Sequence, residues 1–347
     1  QVLRLEERGT GAQLVLVRPV PGHDEVEREA IDLGAAPASA SIALSVTAPS
    51  ERDERAWAVA LDGARLHRRF ADRALGGHVL PELDVPATDA RLVGALAGAL
   101  EQPVPDPVYT RGMDWDAWPR LHVALLAGAA SGAELVALDV GPGAASVPTW
   151  HRRPLGAAPA AARACALDAA TRLVFVASSA EEDRVRIDAV RWDTAGLGAP
   201  ILVLETRGAL LDMEAVVHPD GLEARVFALV ALSEPAGALA IESARIDAKG
   251  AVARLATRLL LREQLPDDVE QPRLRVVWQD EVFLLARTAA GDPILVLPGS
   301  RTPWSIPAPR HSWWDIEVAA GQVHALHVDE RAGLAVDLLE APDDTGP

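Results

Sequence analysis

The sequence predicts an all-β protein assembled from repeated, antiparallel, four-stranded units, and three observations predict it. First, short apolar runs of one pattern recur: Arg120-Leu121-His122-Val123, Leu173-Val174-Phe175-Val176, Arg225-Val226-Phe227-Ala228, Glu281-Val282-Phe283-Leu284 and Gln322-Val323-His324-Ala325. Counted at the aromatic or histidine position, successive copies lie 53, 52, 56 and 41 residues apart, and a period of about 50 belongs to blades. Second, each run leads to a turn signal, Ser131-Gly132, Glu182-Asp183, Pro235-Ala236-Gly237, Ala290-Gly291-Asp292 or Arg331-Ala332-Gly333, after which an apolar run returns. Third, the clearest copy resolves into four strands: 212–217, a His218-Pro219-Asp220-Gly221 turn, 224–232, then 238–246, an Asp247-Ala248-Lys249-Gly250 turn and 253–261. Capped helical patterns are rare. A lone four-stranded meander leaves two bare edges and an apolar face, which radial repetition covers, so the expected architecture is a single β-propeller spanning 1–340.

Each element is justified in chain order. Val2 to Leu5 and Ala12 to Val17, within 1–19, have no unit of their own; one strand from this segment is expected to complete the last blade and close the ring. The first blade core, 41–70, holds Ser41 to Val46, Trp57 to Leu61, the Asp62-Gly63 turn and Ala64 to Phe70. A degenerate blade is expected at 90–112, because Arg91 to Gly98 echoes Arg120 to Gly128 and Pro107 to Gly112 echoes Leu204 to Gly208. The competing reading of that segment is a capped helix, since Thr88 and Asp89 precede Leu92, Leu96 and Leu100. The remaining cores are 113–156, 162–208, 209–262, 272–308 and 312–340, the last with only three strands, followed by an acidic tail at 341–347. Seven blades are expected, with six as the alternative.

Charge and composition narrow the partners. With 33 basic residues against 50 acidic ones the net charge is −17, and the basic residues form no stripe. Nucleic acid and anionic membranes are therefore not expected partners. No run of about 18 apolar residues is free of charge, so no transmembrane segment is expected. Lys249 is the only lysine, asparagine is absent and Tyr109 is the only tyrosine; a GC-rich, bacterial genome accounts for this bias, and the arginine excess is background. Cys165 alone can form neither an intrachain disulfide nor a thiol pair for a metal, and its apolar setting reads as packing. The chain begins at Gln1 without an initiator methionine, which leaves the compartment open with a lean toward export to the periplasm or cell surface.

His218-Pro219-Asp220-Gly221 followed by Arg225-Val226-Phe227-Ala228, together with Trp192-Asp193 at the end of a third strand, carries a resemblance to the β-propeller superfamily. The blades resemble WD-repeat, TolB-like and YVTN-type repeats, and the Pro-Asp-Gly turn is similar to the one between the first two strands of TolB-like blades. This resemblance covers 110–340 and implies the fold, with no particular activity attached.

No nucleophile elbow, H-E-x-x-H helix, P-loop or dinucleotide fingerprint occurs, so no catalytic residue is assigned. His324 and His327 fall on opposite faces of a strand and cannot share a metal; no metal site is assigned. His122 and His324 occupy the position that phenylalanine fills in other copies and read as packing. Trp115, Trp118, Trp313 and Trp314 lie at or just before first strands, at the end where one blade's fourth strand passes to the next blade's first. With His311 they are candidate contacts, suited to stack on a sugar ring or a partner's apolar side chain, with packing between blades as the competing use. At the same junctions Arg207 precedes Asp212 by five residues and Glu214 by seven, Arg310 precedes Asp315 by five and Glu317 by seven, and Arg111 precedes Asp116 by five. Acids two apart on a strand share a face. They are expected either to pair with the arginines, Arg207 with Asp212 or a carboxylate of the neighbouring blade and likewise Arg310 with Asp315, fixing blade to blade, or to converge on calcium or a basic partner group. Calcium is the one cofactor considered.

The functional expectation is a non-enzymatic binding or scaffold protein that engages a protein partner through the end joining fourth and first strands. Its alternatives are a propeller enzyme, a hydrolase, lactonase or lyase at the channel mouth, and a carbohydrate-binding module. Oligomeric state is left open.

Overall fold

The computed structural model describes residues 2–8, 11–19, 26–35, 40–47, 55–72, 76–87, 89–97, 121–129, 132–141, 147–155, 163–168, 173–181, 184–193, 195–217, 223–234, 238–247, 249–255, 257–260, 270–277, 281–297, 303–310, 314–319, 322–329 and 333–339. Among them are 28 strands and no helix, hence no helix long and apolar enough to cross a membrane. They form seven antiparallel meander sheets in chain order. The chain divides into two compact units, Gln1–Ser178 with Asp188–Ile201, and Ser179–Ile187 with Leu202–Pro347.

In the first unit, sheet one is β1 (Val2–Arg8), β2 (Gly11–Pro19) and β3 (Val26–Ala35). Sheet two is β4 (Ala40–Thr47), β5 (Arg55–Asp62), β6 (Arg65–Asp72) and β7 (Gly76–Val79), with β8 (Leu83–Asp84) also pairing β6. Sheet three is β9 (Arg91–Ala97), β10 (Leu121–Ala129), β11 (Gly132–Val140) and β12 (Thr149–Pro154). The fourth sheet, whose residues are divided between the units, is β13 (Arg163–Asp168), β14 (Leu173–Glu181), β15 (Arg184–Asp193) and β16 (Gly196–Arg207). The second unit continues with β17 (Ala209–Val217), β18 (Glu223–Ala231), β19 (Leu239–Asp247) and β20 (Val252–Arg254), with β21 (Arg258–Leu260) also on β19. Sheet six is β22 (Glu270–Val277), β23 (Glu281–Arg287), β24 (Pro293–Val296) and β25 (Trp304–Ser305). Sheet seven is β26 (Trp314–Ala319), β27 (Gln322–Asp329) and β28 (Gly333–Leu338).

Turn chemistry sets the meanders. After β19, the Asp247 carboxylate accepts the N–H groups of Lys249 and Ala251, each at 2.8 Å, and Gly250 supplies the positive φ of 88° that the reversal needs. Packing then joins face to face. The third and fourth sheets bury Ala124, Leu126, Leu135 and Ala137 against Val174, Val176, Val190 and Trp192. In the second unit Phe227, Leu229 and Ile241 pack on Leu274, Val276 and Leu284, while Phe283, Leu285 and Leu295 on the opposite face of sheet six pack on Trp314, Ile316 and Ala325. Sheet six is thus covered on both sides, which is why β23 is an unbroken apolar run rather than an alternating one. First strands of neighbouring sheets lie side by side, β4 with β9 and β9 with β13 in one unit, β17 with β22 and β22 with β26 in the other.

His122, Phe175, Phe227, Phe283 and His324 each lie on the second strand of a different sheet, β10, β14, β18, β23 and β27. Two expected boundaries are corrected. Arg91–Ala97 is neither a helix nor part of a separate blade at 90–112: it pairs with β10, from Leu121↔Ala97 to Leu126↔Arg91, as the first strand of that sheet. An insert of more than twenty residues between two paired strands hid this relation. Nor do β1 and β2 supply a strand to the last sheet; they pair with each other, and β3 gives β2 its second partner. The seventh sheet keeps three described strands. The tail at 341–347 lies outside the described residues.

Candidate functional site

The acids of β17 meet the edge of β22. As a first strand, β22 pairs only with β23 and leaves one edge of backbone groups without ladder partners, and buried N–H groups of that kind need acceptors. Asp212 and Glu214 stand opposite Leu229 and Phe227, on the face of the fifth sheet that packs on the sixth. Their two-residue spacing matches that of the N–H groups they reach: Leu274 N–H donates to Asp212 Oδ2 at 2.8 Å, and Val276 N–H donates to Glu214 Oε2 at 2.5 Å.

Between those two apolar residues, Arg275 points the other way and gathers the remaining carboxylates. Its Nη1 lies 3.5 Å from Glu214 Oε1 and its Nη2 3.6 Å from Asp315 Oδ2. Asp315 also accepts the Ile316 N–H at 2.9 Å, and Arg273 donates to the Trp314 carbonyl at 2.9 Å. Side-chain exposures of 23% for Glu214, 24% for Asp315 and 36% for Arg275 leave the group half-buried yet open to solvent. Two carboxylates therefore face one guanidinium at loose distances, with Asp212 beside them on the Leu274 N–H.

Burial pushes the Glu214 carboxyl up to about 7 from 4.5; Arg275 and the Val276 N–H oppose the rise, and the charges of Asp212 and Asp315 add to it. The unfolded chain ionises at the lower value while the folded chain keeps its proton, so this group's contribution to stability falls as pH rises from about 4.5 to about 7. The loss approaches about 3 kcal/mol and is complete above that window. Glu214→Gln is expected to flatten this limb and to be more stable than the parent at alkaline pH, measured by urea unfolding on both sides of neutrality. Parallel pH profiles for parent and variant would show that Glu214 does not titrate there.

Of the residues singled out from sequence, Asp212, Glu214 and Asp315 come together, and the two arginines paired with them by spacing do not. Arg310 pairs with Asp292, Nε to Oδ1 at 2.6 Å, rather than with Asp315. It lies in the segment after β25, beside the turn that ends at Asp292, so a neighbour across the sheet replaces the expected neighbour along the chain. Arg207 is exposed at the end of β16, and among the described residues no carboxylate pairs with it; Asp212 is taken by the Leu274 N–H instead. Glu317 lies on β26 two residues beyond Asp315, and its side chain is outside the described set. Trp314, a candidate contact with packing as its competing use, takes the packing use: it is 1% exposed and lies with Phe283, Leu285 and Ile316. Trp115, Trp118, Trp313, His311, Arg111 and Asp116 lie outside the described residues. His122 is buried edge-on to Trp192, with ring centroids 5.4 Å apart. His327 is buried, with Nε2 2.6 Å from Asp337 Oδ2, and His324 lies on the other face of β27. Arg275 escaped the sequence reading; its signal is the Arg273-Leu274-Arg275-Val276 alternation, which places basic residues on the face opposite the core. Among the described residues no three His, Cys, Asp or Glu side chains come together as metal ligands do.

No family model and no curated protein matches the chain. Among solved structures it is similar to the fucose-recognising fungal lectin of Aleuria aurantia, a six-bladed β-propeller, at 10% identity and a TM-score of 0.44, over 97% of this chain and 95% of that one. A mutant of that lectin in complex with Fucα1-6GlcNAc aligns at 9% identity and a TM-score of 0.45, over 96% and 91%. An oligogalacturonate lyase in complex with manganese aligns at 13% identity and a TM-score of 0.40, over 83% of this chain and 74% of that one.

Proposed function

We propose that the chain is a non-enzymatic binding protein that engages a protein partner near the junctions preceding β17 and β26, with the carboxylates around Arg275 receiving a lysine or arginine side chain of that partner. The observation that supports this reading is the carboxylate cluster at Glu214: the charges of Asp212 and Asp315 add to the rise in its pKa, and Arg275 lies 3.5 Å away. An incoming cation adds positive charge in a half-desolvated setting, where such pairs set specificity more than raw affinity. The net charge of −17 favours the same partners at long range.

A calorimetric titration with a peptide rich in lysine and arginine, beside an acidic peptide, calcium and a neutral oligosaccharide, tests the proposal. The basic peptide is expected to bind, more weakly as salt rises, and Asp315→Asn with Glu214→Gln is expected to weaken it about tenfold, the effect of losing one charge-assisted contact. Binding of the oligosaccharide alone, insensitive to both substitutions, would support the carbohydrate-binding alternative in its place.

A further inference from the structure

Arg68, in the first unit, is a cation without a counter-ion among the described residues. Arg68 on β6 stands opposite Val59 and on the same face as Leu66, toward the core that contains Val59, Leu61, Leu66, Leu80 and Val85. The residue is 2% exposed. Its Nη2 donates to the Pro81 carbonyl at 2.8 Å, whereas Nε and Nη1 are shielded from solvent and have no hydrogen-bond partner among the described residues. Burial lowers its pKa only to about 10, so the guanidinium remains charged at neutral pH. A buried charge is stable only when paired, and a guanidinium is built to donate to oxyanions. Neither described acid in the adjoining segment serves: Glu82 is half exposed and already pairs with Arg65 at 3.5 Å and His67 at 3.2 Å, and Asp84 is exposed.

We propose that Arg68 is the buried pole of a binding site for a small oxyanion, a carboxylate or phosphate group, which reaches Nε and Nη1 beneath the segment from Leu80 to Val85. That segment lies over the guanidinium with Pro81 and Glu82 exposed. Its two ends are tied to β6 and to the preceding turn by backbone bonds, Leu80 N–H to the Arg68 carbonyl at 3.3 Å and Val85 N–H to the Ala64 carbonyl at 2.7 Å. The longer bond sits beside Arg68, so the Leu80 end is the one that yields to an entering group. A ligand bound here completes a hydrogen-bonding set that the described residues leave incomplete, which is the physical reason to expect binding to stabilise the fold.

Thermal unfolding in sodium phosphate, sulfate or acetate, each against sodium chloride at equal ionic strength, tests the site. At least one oxyanion is expected to raise Tm saturably by about 2–4 °C. A response to phosphate and sulfate identifies a tetrahedral anion, and a response to acetate a carboxylate. Arg68→Met is expected to abolish the rise, while Asp315→Asn, in the other site, leaves it intact. An equal rise in Arg68→Met would overturn the proposal. If that variant does not fold, calorimetric titration of the parent with phosphate and acetate decides, and the absence of saturable heat for both overturns it.

Discussion

Replacing Phe283 by alanine is expected to lower the unfolding free energy by about 3–5 kcal/mol, the range for deleting a buried aromatic side chain from a packed core. Phe283 is 2% exposed at the centre of β23 and packs with Leu285, Leu295, Ile306, Trp314 and Ile316, so sheets six and seven meet on its ring. With side chains of two sheets around it, the cavity left by truncation cannot collapse easily. Phe227, 3% exposed on β18, stands in the same relation to sheets five and six, and its truncation is expected to cost a similar amount. Leu338, 48% exposed on β28, supplies the contrast, since its replacement by alanine falls within about 0.5 kcal/mol of the parent. Urea unfolding of the three variants checks the set. A loss below about 1 kcal/mol for Phe283→Ala, the size of an ordinary surface effect, would mean that the two sheets do not share this core.

Gly208→Ala is expected to be as damaging for a different reason. Gly208 joins β16 to β17 at a φ of +114°, where side-chain-bearing residues are strained. A Cβ there would press against the Ala231 carbonyl oxygen and fall 2.6 Å from Val230 Cγ1, both on β18. Backbone on β18 cannot move aside without breaking its ladder to β17, which begins at Ala209↔Ala231. Strain and overpacking together are expected to cost about 3 kcal/mol or more. Gly63 separates the two terms: its φ is +55° with nothing within 4 Å of an added Cβ, so Gly63→Ala carries backbone strain alone, about 1 kcal/mol. Equal unfolding free energies for the two variants would remove the close approach at Gly208 from the account.

The second strands were legible in the sequence because they are buried on both faces. Phe227 and Phe283 each sit within an unbroken apolar run, β18 and β23, and such runs repeat at near-constant intervals. First strands were harder to read, since they carry charge and can be far from their partners in sequence. Arg91–Ala97 pairs with Leu121–Leu126 across an insert that broke the period; in sheet one the third strand, β3, with its mixed Glu, Arg and Asp content, likewise gave no repeat to compare. For the site, strand periodicity was enough to place Asp212 and Glu214 on one face. It could not name what they bind, because the acceptor is needed by backbone N–H groups of Leu274 and Val276, which leave no mark in a sequence. Spacing along the chain likewise proposed Asp315 for Arg310, whereas the ladder of β24 and β25 brings Asp292 close.

If the carboxylates around Arg275 receive a partner's cation, binding is expected to release protons. With Glu214 pushed up to about 7, roughly half of it is protonated at neutral pH, and an arriving cation drives that proton off. Titration of a lysine- and arginine-rich peptide at pH 7 in two buffers of different ionisation enthalpy is expected to show release of about half a proton by the parent and none by Glu214→Gln. Binding with no buffer dependence, or with the same proton release in the variant, would contradict it.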